Sequence, residues 1–214
     1  MKKFLLPLLL LMIFSCGKKR KVIDQGNGSN PNYSEFIPEL YTENDSAFNT
    51  YRNIKTRKLV LMEKAASLQE LKDSTFCRIR YYSTSGKLFS IDTIRNKKRI
   101  GNSVSFYESG KKKSNALFSD GLQENYEVWY ESGKVMIKGE LLPDSTFRHR
   151  EYFETGIPKK EMLTDKNGKG SCTYYHTNGA IRETGPILNF DASGIWKIYD
   201  EQGNLKQDTI FGIR

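Results

Sequence analysis

"VWYESGKVMIKGE", residues 128–140, is the stretch whose reading decides the fold. An aromatic pair runs into Glu-Ser-Gly-Lys, and an alternating apolar segment follows. Taken alone, Trp129, Tyr130 and Lys134 could be gathered for chemistry. The rest of the chain argues otherwise, because the same pattern returns. The copies are YYSTSGKL (81–88), FYESGKKK (106–113), WYESGKVM (129–136), YFETGIPK (152–159), YYHTNGAI (174–181) and IYDEQGNL (198–205). Their glycines, Gly86, Gly110, Gly133, Gly156, Gly179 and Gly203, are spaced 24, 23, 23, 23 and 24 residues apart. Four residues before each glycine stands an aromatic: Tyr82, Phe106, Trp129, Tyr152, Tyr175 and Tyr199. Self-similarity at a fixed short period is the signature of a repeat architecture. The opening stretch is therefore a repeat unit.

Each unit reads as two strands. The strand before the glycine is rich in aromatic and β-branched residues, as in Tyr126-Glu127-Val128-Trp129-Tyr130. The polar stretch ending in glycine makes a tight reversal, since glycine accepts positive φ without steric cost. Second turns are expected at Ser119-Asp120-Gly121, Pro143-Asp144-Ser145, Asp165–Gly168 and Asp191–Gly194. Loop length is read as slipping by one residue between copies, Tyr-Glu-Ser-Gly against Tyr-His-Thr-Asn-Gly, a slip that a bulge near the turn absorbs. An echo between KDSTFCRIRYY (72–82) and PDSTFRHREYF (143–153) supports the period.

A lone hairpin is marginal in water, so the copies are expected to pair edge to edge. The fold class that follows is all-β: an elongated, single-layer antiparallel meander of about six stacked hairpin repeats of about 23 residues, stability being summed over neighbours. The six aromatics are expected to form a structural ladder along it. This geometry sets Cys77 and Cys172 about 38 Å apart across four two-stranded repeats, too far for a disulfide.

The aromatic pair, the Gly-Lys turn and forms such as Gly194-Ile195-Trp196-Lys197-Ile198-Tyr199 resemble MORN-variant repeats, the short β-hairpin repeats of bacterial proteins often labelled YwqK-type antitoxins. The resemblance covers residues 72–214. It implies a non-enzymatic protein-interaction scaffold, or alternatively an antitoxin or immunity-type neutraliser of a toxin partner. A cell-wall glycan-binding module is a further alternative.

The start of the chain carries different information. Lys2 and Lys3 precede an unbroken apolar run, Phe4 to Phe14, too short to span a ~30 Å hydrocarbon core as a helix. The pattern is that of a secretory signal helix over residues 1–15. Ile13-Phe14-Ser15-Cys16 resembles a bacterial lipobox, which implies lipidation of Cys16 and a membrane anchor. By analogy with known sorting rules, Gly17-Lys18 after the cysteine fits the cell envelope, most readily the outer membrane facing the periplasm. Residues 16–40, with Gly26-Asn27-Gly28-Ser29-Asn30-Pro31-Asn32, read as a flexible tether, and 41–71 as an N-terminal cap with a strand near 58–63 and a helical turn after it.

The chain has 214 residues and a formal net charge of +9, which becomes +7 without Lys2 and Lys3. The lysine runs 111–113 and 159–160 are joined by no recognisable nucleic-acid motif, so nucleic acid is not an expected partner. There is no phosphate-cradling loop, dinucleotide fingerprint, His-Glu-x-x-His, paired-cysteine spacing or Gly-x-Ser-x-Gly elbow. No catalytic residue, cofactor, metal or small-molecule substrate is expected; the partner expected is a protein.

Overall fold

A computed structural model describes residues 21–23, 36–82 and 84–212. Among these residues, seventeen strands form one antiparallel sheet. In chain order they are β1 (Lys21–Ile23), β2 (Phe36–Glu43), β3 (Ser46–Asn53) and β4 (Leu59–Ala65), then β5 (Phe76–Tyr81), β6 (Leu88–Arg95), β7 (Lys98–Phe106) and β8 (Lys112–Ser119). They continue as β9 (Leu122–Trp129), β10 (Val135–Leu141), β11 (Phe147–Tyr152), β12 (Pro158–Thr164), β13 (Gly170–Tyr175) and β14 (Ile181–Leu188). The last are the two-residue β15 (Asp191–Ala192), β16 (Gly194–Tyr199) and β17 (Leu205–Phe211). Each strand pairs with its neighbour in sequence, except that β14 pairs with both β15 and β16. The six glycine turns join β5–β6, β7–β8, β9–β10, β11–β12, β13–β14 and β16–β17.

The turn chemistry explains the meander. At the ends of the repeats nearest the glycines, φ is +74° at Gly86, +90° at Gly110, Gly133 and Gly179, +95° at Gly156 and +85° at Gly203. Every one of the six hairpins also carries a register shift where the incoming strand ends, as at Glu151/Tyr152. The left-handed glycine and the shift together match the strong twist of a bulged hairpin. The opposite turns are mostly two-residue reversals with both central residues at positive φ: Asn44-Asp45, Asn96-Lys97, Asp120-Gly121 and Asn189-Phe190.

Three expectations are corrected here. The long loop is in the first copy: Gly86 N donates to Tyr82 O, four residues back, whereas Gly110, Gly133, Gly156, Gly179 and Gly203 each reach three back. The His176–Gly179 loop has the common length. Counting back from Gly86 therefore lands one residue late, and the true counterpart of Phe106 and Trp129 is Tyr81, not Tyr82. The reversal expected at Asp191–Gly194 lies instead at Asn189-Phe190, with Asp191–Ala192 already paired to β14. Phe190 carries no turn signal in the sequence, and its ring packs over Gly168. Lastly, the boundary between tether and cap does not fall at 40/41. β2 begins at Phe36, and its Leu40, Tyr41 and Thr42 pair with Ile23, Val22 and Lys21.

The N-terminal cap has more strands than the sequence suggests. β2, β3 and β4 precede α1 (Leu68–Lys72), which is capped by Ser67: its Oγ accepts from Glu70 N at 3.1 Å, and the Glu70 carboxylate accepts from Ala66 N. This is a near capping box. Leu71 of α1 packs on Ala65, Phe76 and Ile94. Cross-strand pairing places those three on one face of the sheet, here called the helix face. The second apolar cluster, Cys172, Ile187 and Trp196 with Met162, Tyr174 and Ala192, lies on the same face at the far end.

Candidate interaction surface

Side chains alternate faces along a strand, and cross-strand partners share one. The registers therefore sort every repeat residue. One row runs across the middle of the helix face: Glu63, Arg78, Asp92, Ser103, Ala116, Tyr126, Gly139, His149, Met162, Cys172, Gly185, Trp196 and Thr209. A second row lies on the opposite face beside the glycine turns. It alternates aromatic and mostly aliphatic partners: Tyr81 with Leu88, Phe106 with Lys112, Trp129 with Val135, Tyr152 with Pro158, Tyr175 with Ile181, and Tyr199 with Leu205.

This second row holds five of the six aromatics singled out in the sequence. None of them is buried, and none stacks on another. The expectation of an aromatic core ladder is corrected accordingly. These rings are half-exposed, and the apolar clusters lie on the other face, built by residues three positions earlier in each strand, such as Trp196 and Cys172. An odd separation puts the two sets on opposite faces. The row instead offers platforms two strands, or roughly 10 Å, apart. Lys112 Nζ sits 5.0 Å from the centre of the Trp129 ring. Next to the row, ion pairs cross the same face: Arg150 Nε to Glu161 at 2.9 Å, Arg148 Nη1 to Glu140 at 3.2 Å and Lys138 to Glu127 at 3.9 Å.

The residue after each of these aromatics does the stitching. Tyr82 Oη donates to Phe106 O at 3.0 Å, Tyr107 Oη to Trp129 O at 2.6 Å, and Tyr130 Oη to Tyr152 O at 2.8 Å. Each phenol thus reaches a carbonyl one repeat further on. His176 Nε2 repeats the contact to Tyr199 O at 3.1 Å. Phe153 occupies the equivalent place without a hydroxyl. The turns are also tied: Lys111 Nζ donates to Glu131 O, and Asn178 Nδ2 to Glu201 O, each at 2.8 Å.

Two clusters on the helix face were not visible in the sequence. Asp92 is 2% exposed, and its carboxylate accepts from Ser103 Oγ at 2.5 Å and faces Arg80 at 3.2 Å and Arg99 at 3.5 Å. Its column across the repeats otherwise holds Ala116, Gly139, Met162, Gly185 and Thr209. A carboxylate among such residues is the signal that an aligned column offers. The second cluster is a chain of three: Tyr126 Oη lies 2.6 Å from His149 Nδ1, and His149 Nε2 lies 3.1 Å from Glu151. His149 Nε2–H donates to Glu151, and Nδ1 on the other side of the ring meets the Tyr126 hydroxyl. Burial pushes the Glu151 carboxyl up, but the His149 hydrogen bond and the charges of Lys160, His149 and Lys159 outweigh it and hold the group below its ordinary value. Burial, then the Glu151 charge, pushes the Tyr126 phenol up.

These three side chains bridge β9 and β11 over the bare backbone of Gly139. A β-carbon there would meet the Tyr126 ring at 2.1 Å. Trp196 lies in the same way over Gly185, where a β-carbon would meet its ring at 2.4 Å, and its indole N–H donates to Pro186 O at 2.9 Å. A ring laid over a strand glycine fills the space the missing side chain leaves. The cluster is thereby accounted for as packing.

A concavity of about 650 Å³ is lined among others by Tyr126, Lys138, Gly139, Glu140 and Leu142. Among the described residues, no three His, Cys, Asp or Glu side chains gather to hold a metal ion. Cys77 and Cys172 are free thiols, both pushed up, chiefly by burial. Cys16 lies outside the described residues.

With this geometry established, a MORN repeat variant is found at residues 192–211, a span that begins at the last residue of β15 and holds all of β16 and β17. Nothing among curated proteins matches the chain. A solved structure titled "Crystal Structure of TarM" is similar at 11% identity and a TM-score of 0.31. The similarity covers 64% of this chain and 22% of that one.

Proposed function

We propose that this chain is a lipid-anchored protein of the bacterial envelope whose repeat sheet is a non-enzymatic docking surface for a protein partner. The observation that carries the reading is the half-exposed aromatic and aliphatic row from Tyr81 to Leu205. It runs along the glycine-turn side of six hairpins and is flanked by charges of both signs. Aromatic residues are the common anchors of protein interfaces, and mixed charges beside them set orientation. MORN repeats in general serve protein and membrane interaction, which agrees with this use of the surface. In the proposal Cys16 carries the lipid, and the partner is met at the periplasmic face of the outer membrane.

The test is cross-linking in intact cells followed by purification from solubilised membranes. Wild type is compared with Trp129→Ala/Tyr152→Ala, which removes two adjacent platforms from a surface that contributes little to the core. The reading expects one specific protein to be captured by wild type and lost from the double variant, with folding unchanged by circular dichroism. Equal capture by both would overturn it. A captured protein whose toxicity co-expression relieves would place the chain among neutralisers of the YwqK type. Retention on isolated cell wall in place of a protein would favour the glycan-binding alternative. Anchoring is tested separately: a Cys16→Ser variant should lose the globomycin-sensitive mobility change seen in wild type.

A further inference from the structure

Among the described residues, β17 has one edge with no strand beside it. Among the described residues β17 pairs with β16 alone, along Gly194–Tyr199 and Leu205–Phe211. Six of its seven residues are exposed, and only Thr209 is partly covered. Apolar surface collects around it: Ile210 is 78% exposed, its cross-strand partner Ile195 55% and Leu205 54%. Stacked repeats are closed off by atypical terminal units, because an uncovered strand is a template for another. The N-terminal end has such a unit in β1–β4 and α1. The C-terminal end has none in the described residues, and it is there that the regular repeat variant is found.

We propose that β17 pairs with β17 of a second copy of this chain, antiparallel, about a two-fold axis at Gln207. The register follows from elementary geometry. A two-fold axis perpendicular to the sheet keeps each face continuous across the junction, so paired residues must share a face. The axis must then pass through a residue. An axis at Lys206 sets lysine against lysine, and one at Asp208 sets aspartate against aspartate, both destabilising when directly opposite. An axis at Thr209 sets Asp208 against Ile210. An axis at Gln207 places Lys206 opposite Asp208 of the other copy twice over and sets the two Gln207 amides together. Edge charges of one sign deter strand addition. One charge of each sign, two residues apart, selects an inverted copy instead. The interface is isologous and closes on itself, so it ends at a dimer.

The test is sedimentation velocity on the detergent-solubilised full chain over a range of concentrations, with four variants. Wild type is expected to form a concentration-dependent dimer. Lys206→Glu and Asp208→Lys, each placing like charges in both pairs, are expected to weaken it on the order of tenfold. The double variant K206E/D208K reverses both charges and is expected to restore it. Gln207→Cys is expected to give a covalent dimer on oxidation, which wild type, with Cys77 and Cys172 set far from this edge, does not form. All three positions are exposed, so folding is checked by circular dichroism and is expected to be unchanged. A wild type that is monomeric at every concentration would overturn the proposal. So would open-ended aggregation, a dimer indifferent to both single reversals, or a double variant no tighter than either single one.

Discussion

The middle row of the helix face is built in two ways. From β4 to β7 it is Glu63, Arg78, Asp92 and Ser103, a chain of charges and hydroxyl with Arg78 on Glu63 at 2.9 Å and Arg80 on Asp92 at 3.2 Å. From β9 to β16 it is Tyr126 over Gly139, His149, Met162, Cys172, and Trp196 over Gly185. Backbone pairing is the same at both ends, yet one end is closed by ion pairs and the other by rings on bare backbone. What differs is the cover. Leu71 of α1 seals Ala65, Phe76 and Ile94 beside the charged end, so a buried carboxylate there is held by arginines in a partly dry setting. Among the described residues no helix covers the far end, and the large rings supply their own cover. A repeat architecture fixes the positions and leaves the chemistry of each layer to its neighbours.

The comparison can be broken at its charged end first. Asp92→Ala removes the one fully buried carboxylate of the row and leaves Arg80, Arg99 and Ser103 facing an empty site. Removing one partner of a buried pair is strongly destabilising. Because both arginines are partly exposed, we expect a loss of about 3 kcal/mol in urea unfolding, whereas Lys98→Ala, which removes an exposed pair with Asp120, should cost well under about 1 kcal/mol.

At the ring end the matching experiment is Gly185→Ala. The added methyl meets the Trp196 ring, which must tilt off the strand and give up its hydrogen bond to Pro186. A loss of about 1–3 kcal/mol is expected, the usual range for overpacking. The near-ultraviolet circular dichroism of Trp196 should change with it. Gly139→Ala should behave alike through Tyr126 and weaken the contact to His149. If either substitution proves neutral, ring-over-glycine packing is not what holds this end.

A smaller effect sharpens the account of how repeats are joined. Tyr130→Phe removes a phenol-to-carbonyl bond and should cost about 1 kcal/mol, while Phe153→Tyr supplies the bond that its copy lacks, toward Tyr175 O, and should stabilise by up to about 1 kcal/mol. Opposite signs for these two mirror-image changes are the check.

The smallest expected effect separates the two ends by pH. Asp144, Asp165 and Asp200 each accept backbone N–H groups within their turns, and these bonds, first among the causes, hold the carboxyls below their ordinary value. Glu151 is also held low. A depressed carboxyl contributes stability above its unfolded value, and that stability is lost as the pH falls through the lowered folded value. Of the five carboxyls held low, these four lie between residues 144 and 200, and the fifth, Glu108, is held chiefly by the Ser85 and Thr84 hydroxyls. Acid should therefore loosen the later repeats before the early ones. Trp196 fluorescence in a Trp129→Phe background, followed against thermal unfolding from neutral pH down to about 2, should show a gradual decline that Asp165→Asn partly removes. At the other extreme, burial and then the neighbouring Cys172 push the Tyr174 phenol up to about 12. Its absorbance change should come later than that of an ordinary tyrosine.

The sequence by itself determined the repeat, its period, the six hairpins and the glycine at each turn. All of these are local. A left-handed φ wants glycine within its own four residues, and the period is counted along one chain. The strand near 58–63 and the helical turn after it were legible for the same reason, through the run Lys58–Met62 and the spacing of Met62, Ala65, Ala66, Leu68 and Leu71.

Which side chain faces which depends on partners about twenty residues away, and that only the tertiary structure decided. One extra residue in the first loop moved the aromatic count from Tyr81 to Tyr82, since a slip of one exchanges the two faces. A turn through Phe190 and the pairing of Lys21–Ile23 with β2 left no mark in the local sequence. The fate of the aromatics was settled the same way. Alternation put the conspicuous set half in solvent, while Trp196, Tyr126 and Asp92, inconspicuous in the repeat, closed the other face. Local sequence fixes backbone turns, because steric limits act within a few residues. Burial is fixed by what the fold brings to the far side of each strand.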